Sequence, residues 1–221
     1  MNLYKETDQY LVNTYRDRAN WLKGRICGIG GSDASTLIGI NPYKTPDTLW
    51  KEKKGLIEAK EVDNELVQYG KDIEPVLRAW FKATHKEFKV QYRKDCILQS
   101  KALLWRLYSP DGLLYHNEKG KGILEIKSTL IRNANMYDQW KQQMPQNYYV
   151  QVLHGLLTTG FDYVVVVAEL RFAWERNNEI IVLEFTRDEA KDDLLWLDRE
   201  ERVNYTEYYE KNIQPPVVIE F

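Results

Sequence analysis

Cysteine is scarce in this chain of 221 residues, which contains only Cys27 and Cys96 and no CxxC pair. Two cysteines at this spacing argue against a disulfide scaffold, a zinc ribbon and a four-cysteine iron–sulfur cluster. No apolar run approaches the ~20 residues that a membrane-spanning helix needs. The opening segment MNLYKETDQY lacks a basic stretch followed by an apolar one. The sequence therefore predicts no secretory signal and a cytoplasmic location.

Other missing motifs narrow the classes of function. There is no GxxxxGK[ST] loop, so we expect no nucleotide-driven motor. The three histidines are widely spaced and form no zinc-type pair. No Ser/His/Asp arrangement is visible, although a triad built from distant segments is still an alternative. An excess of positive charge is also missing, since the net charge is −2. That sum is a weak test of nucleic-acid binding, because carboxylates that hold a metal offset basic residues that contact phosphate.

The composition is that of a soluble globular protein, with 43% hydrophobic and 29% charged residues. This length suits one well-buried domain, which we place at 1–221. Apolar spacing predicts helices at 6–23, 32–39, 46–55, 66–85, 147–159 and 187–211. It predicts strands at 88–93, 103–115, 122–128, 163–170 and 180–185, with a bend in the second of these at Pro110-Asp111-Gly112 as an alternative to a straight strand. We expect 56–65 to be a charged connector, 130–145 to be irregular or partly helical, and the tail from 213 to be extended. This order predicts an α/β domain with a central mixed sheet.

Two short motifs carry the strongest chemical signal, SPDG at 109–112 and LEIK at 124–127. Asp111 and Glu125 flank a predicted hairpin, so adjacent strands bring the two carboxylates together. Glu125 and Lys127 are two residues apart on one strand and project from the same face. Two carboxylates held close together repel each other, which costs free energy unless a bound cation offsets their charge. Mg²⁺ suits the site because it prefers a few oxygen ligands, water and a substrate phosphate. The carbonyl of Ile126 is a further candidate ligand.

In this arrangement Lys127 would hold or activate an attacking hydroxide and offset charge on the transition state at phosphorus. The alternative is that Asp111 is an ordinary turn residue and that Glu125 and Lys127 form a solvated surface pair. The strand GILEIKS argues against this alternative, because its apolar residues would face a core on the opposite side. The combination of PD, hairpin and ExK favours a metal-dependent phosphodiester hydrolase.

The SPDG and EIK motifs, in this order, resemble the PD-(D/E)xK nuclease superfamily. More specifically, the chain is similar to the lambda-exonuclease-like family, also called YqaJ-type viral recombinases. The resemblance runs from about residue 21 to residue 170 and also includes RICGIGGSDAS, YGKDIEP and YYVQVLHGLLTTG. It implies a restriction-endonuclease-like core at 21–170, in which helices flank a central mixed sheet. The C-terminal strand and helix at 180–211 would complete a single nuclease domain.

The resemblance also implies roles for individual residues. Asp111 and Glu125 would be the central Mg²⁺ ligands, with Mn²⁺ as an alternative metal, and Lys127 would be the catalytic lysine. Glu74, on a helix, would be an outer metal ligand or would position water; the alternative is an ordinary helix-surface glutamate. Gln151 would orient the lysine, the water or a phosphate oxygen, or is simply a polar helix residue.

A second set of positions corresponds to DNA or phosphate contacts in the family: Arg25, Ser32, Ser109 and Tyr148. A guanidinium binds phosphate through two parallel hydrogen bonds, and a helix starting near Ser32 as N-cap would attract anions. The alternative for Arg25 and Ser32 is a glycine turn with a plain helix cap. Ser109 is the weaker candidate, and Tyr148 lines the site or packs. Asp33 is better explained as a carboxylate of the first helical turn than as a metal ligand.

As a whole, the resemblance implies an ATP-independent exodeoxyribonuclease that degrades one strand of duplex ends 5′ to 3′ and releases 5′-phosphates. The 3′ single strand would serve recombination. It also implies a homo-oligomer, often a trimeric ring, a single-strand annealing partner, no membrane, and a bacterial host or phage-infected cell. The alternatives are an endonuclease on the same core and a non-catalytic DNA-binding or assembly module. The iron–sulfur branch of the superfamily is disfavoured by the two cysteines.

Overall fold

A computed structural model describes residues 2–59, 64–142 and 144–217. Its strands are β1 Tyr10–Thr14, β2 Lys89–Gln91, β3 Cys96–Ser100, β4 Leu107–Tyr108, β5 Gly112–His116, β6 Gly120–Ile131, β7 Tyr163–Phe172 and β8 Glu179–Thr186. Its α-helices are α1 Arg18–Ile26, α2 Gly31–Leu37, α3 Pro46–Lys53, α4 Glu65–Thr84, α5 Ala134–Gln142, α6 Gln146–Thr159 and α7 Lys191–Tyr205. A π-helical segment, Thr206–Glu210, follows α7. Within these residues, no helix is both long and apolar enough to cross a membrane.

The central sheet has five strands in the order β2-β5-β6-β7-β8. Strands β5 and β6 form an antiparallel hairpin, whereas β6 and β7 are parallel. Parallel neighbours need a crossover connection, and α5 and α6 supply it. The buried run Val164, Val165, Val166 and Val167 lies in the middle of β7, as expected for a strand covered on both faces. The predicted α/β fold with a central mixed sheet flanked by helices is confirmed.

Alternate residues of β6 face two different helical layers. Leu124 and Ile126 pack with Leu77 and Phe81 of α4 in one apolar cluster. Ile123, one residue away on the strand, belongs instead to the larger cluster that contains the α6 side chains. The α6 face is thus the one on which the odd-numbered residues of β6 project. This alternation points Glu125 and Lys127 towards α6 and away from α4.

The N-terminal region differs from the prediction of one helix at 6–23. Residues Tyr10–Thr14 form strand β1, which pairs antiparallel with β3. Helix α1 begins only at Arg18, where the Asp17 carboxylate accepts a hydrogen bond from the N–H of Asn20. The apolar spacing over 6–23 did not separate this five-residue segment from the helix that follows it. Pairing with a distant strand decided its conformation.

The predicted strand at 103–115 is in fact two strands in two different sheets. Strand β4 belongs to a three-stranded sheet of order β1-β3-β4, and β5 belongs to the central sheet. The three residues between them, Ser109 to Asp111, turn the chain from one sheet to the other. Segment 130–145 contains the end of β6 and helix α5, and residues 213–217 have no regular structure. Residues 60–63 of the predicted connector and 218–221 of the predicted extended tail lie outside the described residues.

Candidate active site

Asp111 and Glu125 lie side by side at one end of the β5–β6 hairpin. The strands pair with Gly112 opposite Leu124, so Asp111, one residue earlier, faces the position of Glu125. The Asp111 carboxylate turns inward, where its Oδ2 accepts a hydrogen bond of 2.8 Å from the N–H of Ile126. The structure therefore brings the two carboxylates together through the local register of one hairpin.

Glu125 is buried, with 1% of its surface exposed, and hydrogen bonds reach both of its carboxylate oxygens. The Lys127 Nζ lies 2.7 Å from Oε1, and the Gln151 side-chain amide also donates to Oε1. The Tyr108 hydroxyl donates to Oε2 at 2.6 Å. Lys127 Nζ also donates to the Gln151 Oε1 at 3.1 Å. Glu125, Lys127 and Gln151 thus form a closed triangle, with Tyr108 on its outer side.

The electrostatics of this group match a site for a divalent cation. Burial, together with the charges of Glu125 and Glu74, raises the pKa of Asp111 well above its usual value. Burial alone would lower the pKa of Lys127, but the charges of Glu125 and Asp111 outweigh it and raise that pKa. Burial and the charge of Glu125 also raise the pKa of Tyr108, so its hydroxyl keeps the donated proton. Two neighbouring carboxylates, of which Glu125 is buried, beside a single ammonium are a donor set whose mutual repulsion a divalent cation would relieve.

Glu74 lies near this pair but does not join it. In the parts of the chain that the structure describes, no three His, Cys, Asp or Glu side chains form a metal-binding group. Instead, Glu74 Oε1 accepts a hydrogen bond of 2.8 Å from Arg78, one helical turn further along α4. The same Arg78 nitrogen donates to the carbonyl of Asp111 at 2.7 Å. In this geometry Glu74 can act on the site through Arg78 or water rather than as a direct third carboxylate.

Arg25 and Ser32, the two candidate phosphate-binding residues, contact each other, since Arg25 Nη2 donates to Ser32 Oγ at 2.6 Å. The prediction of Ser32 as N-cap is wrong, because Gly30 is the N-cap of α2. The Asp33 carboxylate accepts the N–H of Gly30 at 3.1 Å and so closes the first turn two residues earlier than expected. Burial opposes ionisation of Asp33, but the Lys53 ammonium at 2.8 Å and the nearby Arg25 lower its pKa to about 2. Asp33 is thus the first-turn carboxylate that the sequence predicted.

One cleft of about 490 Å³ connects the carboxylate pair with Arg25 and Ser32. Its lining also includes several cationic side chains, namely Arg18, Lys71, Arg93 and Lys94. The cleft that holds the carboxylates therefore also presents cationic side chains that can contact a phosphate backbone. Ser109 lines the cleft too, but its hydroxyl donates to the carbonyl of Cys96 at 3.0 Å. Tyr148 packs beside the site, with its ring centroid 5.0 Å from Lys127 Nζ.

Sequence reasoning missed three side chains of this site. Tyr108 donates to the Glu125 carboxylate, Arg78 donates to the backbone carbonyl of Asp111, and the centroid of the Tyr92 ring lies 3.6 Å from the guanidinium carbon of Arg78. The four-residue spacing of Glu74 and Arg78 on a predicted helix was a usable signal for an ion pair. Tyr108 offered no such signal, because its contact with Glu125 depends on how two sheets meet.

The fold is that of known exonucleases. An alkaline exonuclease (LHK-Exo) from Laribacter hongkongensis superposes with a TM-score of 0.65 at 17% identity, covering 87% of this chain and 93% of that one. The same enzyme in complex with dAMP gives 0.65 at 18% identity, with the same coverage. A phage-related exonuclease from Haemophilus somnus 129PT gives 0.56 at 13% identity, covering 84% of this chain and 94% of that one. At these identities the likeness establishes the shared fold.

The sequence places the chain more narrowly within that fold. The profile of the YqaJ-like viral recombinase domain matches residues 20–162, and the chain belongs to this family. The protein YqaJ of Bacillus subtilis (strain 168) is 31% identical over 189 residues, which is 82% of this chain and 57% of that protein. The chain thus spans little more than half the length of this relative. The family predicted from the motifs is confirmed.

Proposed function

We propose that this protein is a metal-dependent deoxyribonuclease that degrades duplex DNA from its ends, 5′ to 3′. The observation that carries the proposal is the pair of Asp111 and the buried Glu125, held beside the ammonium of Lys127 at the wall of a cleft that cationic side chains also line. Family membership and the exonuclease fold support the same conclusion. The remaining 3′ strand would be the substrate of recombination, which agrees with the description of the family as viral recombinases.

The residues fit Mg²⁺, or Mn²⁺ in its place, because the donors are hard oxygens grouped at the wall of the cleft. Asp111, Glu125 and the carbonyl of Ile126 would hold the cation. When bound, the cation would polarise the scissile phosphate and offset the carboxylate charge. Lys127 would donate a hydrogen bond from its ammonium to a phosphate oxygen, where negative charge develops in the transition state. Gln151, bonded to both Glu125 and Lys127, would keep the ammonium aimed at that position.

Arg25 and Ser32 would bind the 5′-terminal phosphate of the degraded strand. They lie in the same cleft as the carboxylate pair, and both are accessible there. Binding a strand end beside the hydrolytic group makes the enzyme an exonuclease, because only a nucleotide near the end then reaches the metal. Tyr148, Ser109 and Glu74 would support the site at its edge. A ring of identical chains and a single-strand annealing partner are further parts of the proposal that family membership supports.

The proposed reaction is tested by a time course on duplexes labelled at either end, with 5′-phosphate or 5′-hydroxyl termini, with and without Mg²⁺. We expect mononucleotide release from the 5′ end of phosphorylated duplexes only when Mg²⁺ is present. Efficient cutting of closed circular DNA would favour an endonuclease on this core. Absence of any cleavage with Mg²⁺ or Mn²⁺ would favour a non-catalytic DNA-binding module.

Replacing Arg25 by Ala is expected to slow degradation of 5′-phosphorylated duplexes by about 10- to 100-fold, because charge-assisted hydrogen bonds contribute roughly 1.5–3 kcal/mol. Duplexes with 5′-hydroxyl ends should be degraded at nearly the wild-type rate. Single-turnover rates on the two substrates give the comparison. Arg199→Ala is the matched control, because this exposed arginine pairs with Glu200 on α7 outside the cleft lining. Equal slowing on both kinds of end would contradict a terminal-phosphate contact.

A further inference from the structure

We propose that Tyr108 is a positioning residue whose hydroxyl orients the Glu125 carboxylate for the divalent cation. This inference rests on the proposed function, since it assigns Tyr108 a role in the same metal site. Tyr108 is the last residue of β4, a strand of the small sheet, whereas Glu125 lies on β6 of the central sheet. The contact therefore joins two sheets at the point where the carboxylates converge.

The pattern of donors around Glu125 assigns a distinct task to the Tyr108 contact. An ionised carboxylate offers about four lone-pair sites, two on each oxygen. On Oε1, the Lys127 ammonium and the Gln151 amide occupy both sites. On Oε2, the Tyr108 hydroxyl occupies one site at 2.6 Å and leaves the other for a cation. The oxygen that Tyr108 holds is therefore the one with acceptor capacity remaining.

The Tyr108 ring has little freedom to move, because two glycines allow helices to close on it. A Cβ built on Gly155 of α6 would lie 2.7 Å from the Cζ of Tyr108. A Cβ built on Gly31 of α2 would lie 3.1 Å from two carbons of the same ring. Tyr108 itself is 1% exposed. The close packing of α2 and α6 against the ring therefore fixes the position of the Tyr108 hydroxyl. A hydrogen-bond donor held in this way can keep a metal-binding carboxylate in the orientation that the metal needs.

Tyr108→Phe removes the hydroxyl and keeps the ring packed between α2 and α6. We expect the dissociation constant for Mn²⁺, measured by EPR on the DNA-free protein, to rise about 10-fold or more. Cleavage should then need correspondingly more Mn²⁺, while the rate at saturating Mn²⁺ falls much less. Tyr163→Phe is the matched control, because the Tyr163 hydroxyl is buried without a hydrogen-bond partner among the described residues, and its ring lies in the α4-side cluster. Its Mn²⁺ affinity should equal that of wild type.

Gly155→Ala is a second, independent variant, because its methyl group displaces the ring but leaves the hydroxyl present. It should also weaken Mn²⁺ binding, and it should add no further loss in a Tyr108→Phe background. Wild-type Mn²⁺ affinity in Tyr108→Phe would overturn the proposal, as would an equal loss in Tyr163→Phe. If wild type bound no Mn²⁺ and cleaved no DNA, the proposed function itself would fail, and this outcome is distinct from the variant-specific ones.

Discussion

Replacement of Lys127 by Met is expected to slow DNA cleavage by about 10³-fold or more while divalent-cation binding persists. The Met side chain keeps much of the volume of the lysine stem but removes the ammonium, 2.7 Å from Glu125 Oε1. Without the ammonium, the hydrogen bond that Lys127 would donate to the phosphate oxygen is lost, and a bound cation would have to offset more of the developing negative charge. The carboxylates lose a competing cation at the same time, so metal affinity should stay equal or increase.

Single-turnover cleavage and Mn²⁺ binding by EPR, measured on the same preparation, separate these two effects. Lys119→Met is the matched control, because this exposed lysine lies in the turn of the same hairpin, away from the carboxylates, and pairs with Glu184 of β8. The control should cleave at the wild-type rate. If Lys127→Met still cleaved DNA normally, Lys127 would have no catalytic role. If it lost Mn²⁺ binding together with cleavage, the lysine would hold the site together rather than act on the phosphate.

The convergence of Asp111, Glu125 and Lys127 could be predicted because it depends on one hairpin. A tight turn and an alternating strand bring these three side chains to one place without help from distant segments. Their catalytic roles are still predictions that the variants above test. The central mixed sheet was predictable for a related reason, since the β-branched run of β7 indicates a fully buried strand.

The small sheet and Tyr108 could not be predicted in this way. Strand β1 pairs with β3, with Tyr10 opposite Ser100, so its conformation depends on residues far along the chain. Tyr108 reaches Glu125 only because β4 leaves that small sheet beside the central one. Arg78 likewise contacts the Asp111 carbonyl only after α4 has packed on the central sheet. Each of these contacts is a product of tertiary packing, which spacing along the sequence does not encode.

The strand that carries Tyr108 is anchored by a buried charge network. Arg106 is 3% exposed, and its Nη2 lies 2.8 Å from both Asp198 and Glu201 of α7. Glu201 and His154 are fully buried and lie 2.7 Å apart. The second nitrogen of His154 is 2.9 Å from the carbonyl of Leu107, next to Tyr108. The network thus connects α6 and α7 to β4 directly behind the active site.

Arg106→Met is expected to lower the free energy of unfolding by about 3–5 kcal/mol, because Glu201 is left as a buried charge without its guanidinium partner. Urea denaturation of the metal-free protein measures the loss. Arg202→Met is the matched control, since this half-exposed arginine pairs with Asp198 at the surface, where an ion pair contributes at most about 1 kcal/mol.

A second substitution distinguishes two causes of the lost stability, the unpaired charge of Glu201 and the lost packing of the arginine stem. If the cost arises from the unpaired charge, replacing Glu201 by Gln in the Arg106→Met background should recover much of the lost stability, because the buried side chain is then neutral. If the cost arises from lost packing of the arginine stem, the double variant should be no more stable than Arg106→Met alone. Charge is the larger effect here, since Glu201 is completely buried and faces Arg106 and His154 together.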